Sequence, residues 1–153
     1  MAGLTVKTLK KGTPPPWDLL LLADPSRAQV ERYLRDGLCL VARDDARTLG
    51  VVVLLPTEPG TMELMNIAVA ENRQGQGIGK RLMAAAVRAA RRHGAHRLDV
   101  GTGNSSIGQL AFYQKNGFRI VGVRPDYFRE HYPERIVENG IECRDMVRLR
   151  RKL

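Results

Sequence analysis

Three glycines at alternate positions in Arg73-Gln74-Gly75-Gln76-Gly77-Ile78-Gly79-Lys80 constrain this chain more than any other feature. The stretch before them, Met62–Val69, reads as a strand. After them Leu82, Met83, Ala86, Val87 and Ala90 recur at helical spacing up to about His93, and Gly94 marks the stop. The glycines therefore stand at a strand-to-helix junction, where they let backbone amides turn outward without steric cost. The first amides of a helix lack intrahelical acceptors and carry the positive end of its dipole. Together these groups make a cradle suited to a pyrophosphate. Two common phosphate loops do not fit. Gly79-Lys80 is followed by Arg81, so the hydroxyl that holds magnesium in a nucleotide-hydrolase loop is missing. The spacing Gly75-x-Gly77-x-Gly79 also differs from the dinucleotide fingerprint, and a strand meander precedes it instead of a βαβ start.

The rest of the chain supplies one domain, residues 1–153, long enough to bury a core. Thr5–Leu9 reads as a first strand and Trp17–Ala23 as a short helix. Asp24-Pro25 predicts the start of a second helix, with Asp24 as N-cap, running over Ser26–Asp36 and ended by Gly37. Val30, Tyr33 and Leu34 share one of its faces. Leu38–Arg43, Thr48–Leu55 and Met62–Val69 form the meander, with turns at Asp44–Arg47 and Pro56–Gly60. Beyond the long helix come a strand at Arg97–Val100, a turn at Gly101–Asn104, a helix over Ser106–Lys115 capped by Asn116-Gly117, and a strand at Phe118–Val123. Arg124–Glu134 reads as irregular. Asn139-Gly140 signals a hairpin within Ile136–Ile141, and Glu142–Leu149 closes the chain as a strand. This order gives an α/β (α+β) three-layer domain: a mixed, mostly antiparallel central sheet with helices on both faces.

Lys and Arg total 25 against 16 Asp and Glu, a formal charge of +9. Nucleic-acid binding needs a recognisable module or aromatic platforms beside such charge, and aromatics are 5% of residues with no such module. A polyanionic cofactor accounts for part of the excess. The tail Arg148-Leu149-Arg150-Arg151-Lys152 reads as a solvated strand end. Cys39 and Cys143 read as reduced, buried thiols. His93, His96 and His131 lack metal-ligand spacing, so no metal is expected. The apolar runs Leu19–Ala23 and Val51–Leu55 are too short to span a membrane, and Met1–Lys11 does not resemble a signal peptide; the expected location is the cytosol.

Three segments, in this order, carry a family resemblance. Gln74-Gly75-Gln76-Gly77-Ile78-Gly79 matches the Gln/Arg-x-x-Gly-x-Gly/Ala motif of the GCN5-related N-acetyltransferases (GNAT). Glu63-Leu64-Met65-Asn66-Ile67-Ala68-Val69 resembles that family's fourth strand, and Ala111-Phe112-Tyr113-Gln114-Lys115-Asn116-Gly117-Phe118 its Tyr-x-x-x-Gly-Phe signature. The resemblance implies an acetyl-CoA-dependent transfer to a primary amine by direct attack, with acetyl-CoA in a gap between the fourth strand and the next. Backbone groups of Ile67, Ala68 and Val69 would pair with the pantetheine arm. Amides of Gln74, Gly75, Gln76, Gly77, Ile78 and Gly79 would hold the pyrophosphate, with Arg73 and Lys80 as charge partners. Glu63 would be the general base and Tyr113 the general acid. Many relatives carry a cofactor-contacting asparagine seven residues before the tyrosine. Ser106 stands there in this chain and Asn104 is near, so either would supply the contact.

Relatives build acceptor pockets in the segment after the tyrosine helix and its strand. Here Asp126, Tyr127, Glu130, His131 and Glu134 suit a cationic amine. A small-molecule amine, a polyamine, a peptide N-terminus and a protein lysine all stay open as acceptors. Many relatives dimerise through sheet edges or C-terminal strands, which makes a homodimer compatible with the resemblance. The rival functions are a non-catalytic acyl-CoA-binding module, which would tolerate loss of Glu63 and Tyr113, and a basic nucleic-acid-binding protein resting on charge alone.

Overall fold

The structure, a computed structural model, describes residues 3–153; Met1 and Ala2, the start of the Met1–Lys11 stretch read as unlike a signal peptide, lie outside the described residues. It divides into two compact units at His96/Arg97.

The first unit contains β1 (Leu4–Thr8), α1 (Trp17–Ala23), α2 (Arg27–Asp36), β2 (Leu38–Asp44), β3 (Arg47–Glu58), β4 (Thr61–Val69), a 3-10 turn at Glu71–Arg73 and α3 (Ile78–Arg92). Its strands run β1-β2-β3-β4, all antiparallel. Side chains alternate between faces along a strand, and both faces of this meander are apolar. Leu19 and Leu20 of α1 and Val30 and Tyr33 of α2 cover one face, over Cys39, Val41, Val51, Val53 and Ala68. The expected stripe of α3 is buried throughout, and Leu82 and Ile78 lie where a Cβ on Gly50 of β3 would clash. Among the described residues no helix is long and apolar enough to cross a membrane.

The second unit contains β5 (Arg97–Gly103), α4 (Ile107–Lys115), β6 (Arg119–Arg124), α5 (Tyr127–His131), β7 (Ile136–Glu138), β8 (Ile141–Cys143) and β9 (Met146–Lys152). β9 pairs antiparallel with β5 on one side and β6 on the other. β7 and β8 form a separate hairpin whose turn residues, Asn139 and Gly140, both take positive φ, as the Asn-Gly signal predicts.

The fold class is the expected one, and the local differences have physical causes. The cap of α2 is Ser26, not Asp24: Ser26 Oγ accepts from Gln29 N at 3.3 Å, while Asp24 Oδ1 accepts from Ser26 N at 3.0 Å. Gly37 ends α2 in an extended conformation (φ −94°). Glycine is needed there because a Cβ would lie 2.5 Å from the Tyr33 carbonyl oxygen. β3 continues through Pro56 to Glu58. Past Leu54 it has no β2 partner, so this is an edge position where proline is tolerated. β5 continues through the expected turn at Gly101 to Gly103 because β9 pairs with it that far. The closing segment is two strands, β8 and β9, not one, since Asn104 holds the bend between them. The stretch expected to be irregular contains α5, whose Phe128 N donates to Arg144 O at 3.1 Å. The basic tail is not merely solvated. Arg150 pairs with Asp99, and Arg151 Nη1 donates to Asn116 O at 2.9 Å.

Candidate functional site

The turn after β4 is built by glycine. Gly75 (φ 76°) and Gly77 (φ 81°) are left-handed, and a Cβ at either position would meet nothing within 4 Å, so the backbone there faces open space. The first intrahelical bond of α3 is Arg81 N to Gly77 O at 3.1 Å, which leaves the amides of Ile78, Gly79 and Lys80 ahead of the hydrogen-bond ladder. The N-cap, Gly77, has no side chain to cap them, and no acidic residue lies in the first turn. Lys80 and Arg81 stand there instead, against the usual charge preference of a helix start. Cations at the positive end of a helix leave that end able to accept an external anion. Arg81 is anchored, its Nη2 donating to Leu4 O at 3.0 Å, and Lys80 is exposed.

Neighbouring side chains brace the turn. Gln74 Nε2 donates to Val69 O at 3.2 Å, and Arg73 Nε donates to Gln76 Oε1 at 3.1 Å with Asp44 3.8 Å away. Arg73 is thus partly committed within the protein. On β4, Ala68 faces the core under α1 and α2, so only its backbone is available to a ligand; Ile67 and Val69 are half-buried.

β4 also carries a bulge. Val53 pairs with Asn66 and Leu54 with Leu64, so Met65 is the extra residue. Glu63, half-buried, pairs with Leu55. Beside the bulge lies a buried polar chain of Asp24, Tyr33 and Asn66, which sequence patterning missed. Its signal was present: Asn66 is a lone amide in an otherwise apolar inward phase.

In the second unit Tyr113 is 5% exposed and packs edge-on against Phe112 and Phe118, ring centroids 5.6 Å apart in each case. Burial pushes its phenol well above the ordinary range, which keeps it protonated. Asn104 is spent on structure: Oδ1 accepts from Arg144 N (2.9 Å) and Asp145 N (3.0 Å), and Nδ2 donates to Glu142 O (3.1 Å). Ser106 Oγ donates to Glu138 Oε1 at 2.9 Å, beside Ser105 Oγ on the same oxygen at 3.3 Å.

Of the acceptor candidates, Asp126 is paired with Arg144 and its own N–H donates to Asp145 Oδ1 at 2.9 Å. Tyr127 and His131 stack, centroids 4.0 Å apart, so each covers one face of the other. Glu130, His131 and Glu134 are exposed. A crevice of 230 Å³ lies alongside, lined by Phe128, Tyr132, Glu134, Arg135 and Glu142 among others. Both cysteines are buried and free, and burial pushes the Cys39 thiol up to about 11. Among the described residues no group of three or more His, Cys, Asp or Glu side chains could hold a metal ion.

Comparison with known proteins identifies the family. The model of the acetyltransferase (GNAT) family matches residues 7–118. The uncharacterized N-acetyltransferase YvbK of Bacillus subtilis (strain 168) is 53% identical over 133 residues, 87% of this chain and 86% of its own length. A GNAT family acetyltransferase from Elizabethkingia anophelis, solved with acetyl-CoA bound, superposes with a TM-score of 0.97 at 46% identity, covering 100% of both chains. An IAA acetyltransferase from Bacillus cereus gives a TM-score of 0.93 at 53% identity, covering 98% of this chain and 99% of its own.

Proposed function

We propose, for a chain that belongs to the acetyltransferase (GNAT) family and is an N-acetyltransferase using acetyl-CoA, that a primary amine attacks the thioester directly, with Glu63 as general base and Tyr113 as general acid. The observation that carries the cofactor assignment is the pair of left-handed glycines, Gly75 and Gly77, opening onto the uncapped start of α3. Amides from Gln74 to Gly79 bind the pyrophosphate. Lys80 is the readier cation and Arg73 the second, being shared with Gln76 and Asp44. Backbone groups of Ile67, Ala68 and Val69 take the pantetheine arm in the manner of an added strand.

The chemistry balances without a covalent enzyme intermediate. The amine nitrogen bonds to the carbonyl carbon, and the carbon–sulfur bond breaks. Glu63, directly or through water, takes the proton the nitrogen loses. Tyr113 gives its proton to the departing thiolate, and the two residues return to their starting states through solvent. A protonated resting phenol is what an acid requires, and burial of Tyr113 supports that state.

Ser106 is the better candidate for an extra cofactor contact: its hydroxyl donates to Glu138 but keeps acceptor lone pairs, whereas the Asn104 amide is engaged at both ends. Acceptors are small-molecule or peptide amines. Tyr127, Glu130 and His131 are the proposed recognition groups, with Asp126 contributing less because Arg144 answers its charge. Two buried free thiols favour a reducing, cytosolic location. A homodimer is proposed through the open edge of β6, where Ile120, Val121 and Val123 are exposed.

The test is calorimetric titration with acetyl-CoA of the wild type and of Gly77→Glu, which puts bulk and negative charge in the cradle. Micromolar binding lost in the variant supports the site and opens a screen of small-molecule and peptide amines. No binding by either protein sinks the cofactor assignment.

A further inference from the structure

The polar chain beside the β4 bulge is expensive in a way that folding alone does not explain. Asp24, Tyr33 and Asn66 are 9%, 6% and 3% exposed, set among aliphatic side chains. Asn66 Nδ2 donates to Leu20 O of α1 at 3.0 Å and to the Tyr33 hydroxyl of α2 at 2.9 Å. Tyr33 in turn donates to Asp24 Oδ2 at 3.4 Å. A carbonyl oxygen can only accept, so the Leu20 contact fixes which end of the amide is nitrogen. The other end, Asn66 Oδ1, is buried with no hydrogen-bond partner among the described residues. An unsatisfied buried acceptor is costly, and a valine would pack against Val51 and Val53 without that penalty.

The register of β4 supplies the reason for an anchor here. Faces alternate along a strand, so residues 63 and 66 of an unbroken strand point to opposite sides of the sheet. The extra residue at Met65 reverses the phase. Asn66 pairs with Val53 and Glu63 with Leu55, and Val53 and Leu55 both pack on the α1/α2 side. Glu63 and Asn66 therefore share a face. Loss of the bulge by a one-residue slip of the outer half of β4 would turn Glu63 toward the α3 side. Asn66 is tied to two helices immediately beside the bulge and opposes that slip.

We propose that Asn66 is a positioning residue for acetyl transfer. Held by Leu20 and Tyr33, it locks the Met65 bulge and so keeps Glu63 on the α1/α2 face of β4. This rests on Glu63 being the general base, and it adds α1 and α2 as the elements that aim that base.

The experiment is a mutant cycle of Asn66→Val and Glu63→Gln, with Tyr33→Phe beside it. CoA-thiol release from acetyl-CoA is followed with water as acceptor and with each amine of the screen, and the crystal structure of Asn66→Val is solved. Asn66→Val is expected to bind acetyl-CoA with little change in KM but to lose about tenfold or more in kcat. That loss is expected to disappear in the Glu63→Gln background, with the bulge displaced in the crystal. Tyr33→Phe, which keeps the Leu20 anchor and the ring packing, is expected to lose less, and it carries the test if Asn66→Val does not fold. Wild-type kcat in Asn66→Val, or in Tyr33→Phe when it stands alone, overturns the proposal. So does a loss that simply multiplies with that of Glu63→Gln. Wild-type kcat in Glu63→Gln is a different failure: it removes the base itself.

Discussion

Asp99 of β5 and Arg150 of β9 are direct cross-strand partners joined at two points, Nε to Oδ1 at 2.8 Å and Nη2 to Oδ2 at 3.2 Å. The Asp99 side chain is 12% exposed and that of Arg150 38%, so the pair is only partly screened by solvent. Asp99→Ala would leave a half-covered guanidinium without its carboxylate. The expected loss is about 2 kcal/mol in urea denaturation. A loss under about 0.5 kcal/mol would place the pair among ordinary surface ion pairs.

The cradle separates backbone strain from charge. Gly77 sits at φ 81° over open space, so Gly77→Ala meets no neighbour and costs about 1 kcal/mol of conformational strain. It is expected to weaken acetyl-CoA binding modestly. Gly77→Glu is expected to abolish it. Equal affinities for the two variants in calorimetry would remove anion binding as the role of this turn.

Tyr113→Phe keeps the ring between Phe112 and Phe118 and removes only the acid. Melting temperature should hardly move while kcat falls by about a hundredfold. Burial raises the phenol's pKa, so the wild-type rate should show no alkaline decline from this group near pH 10, where a free tyrosine ionises. A decline there that vanishes in Tyr113→Phe would contradict the buried, protonated state.

Arg129, by hydrogen bonds of 2.7 and 2.9 Å, and then Arg135 at 3.2 Å hold the Glu142 carboxyl down to about 2, against an ordinary 4.5. A carboxyl depressed on folding stabilises the native state above its unfolded pKa. That contribution fades as pH falls from about 4.5 through about 2. Glu142→Gln should lower stability at neutral pH and flatten the acid limb across that window. Denaturation midpoints at neutral pH and near pH 3 check both effects.

If β6 is the dimer edge, Val121→Lys should yield a monomer in sedimentation without loss of acetyl-CoA binding, because a charge on an open strand edge blocks further pairing. A dimer that survives the change would move the interface elsewhere.

The sequence by itself determined the features that depend on a few neighbouring residues. Gly75 and Gly77 were legible as a glycine-built turn at a strand-to-helix junction, Asn139-Gly140 as a hairpin, and the α3 stripe as a buried face, because φ preferences and 3.6-residue spacing act locally. Tertiary structure decided whatever needed a partner from afar. Pro56 and Gly101 read as breaks but lie within strands, since pairing overrides local preference. Asp24 reads as a helix cap and became a buried acceptor for Tyr33, and Arg150 reads as solvated tail and found Asp99. The Met65 bulge shows the limit most sharply. Nothing in Glu63-Leu64-Met65-Asn66 says that one residue is unmatched. Only pairing with Val53, Leu54 and Leu55 sets that register, and the register decides which way Glu63 faces.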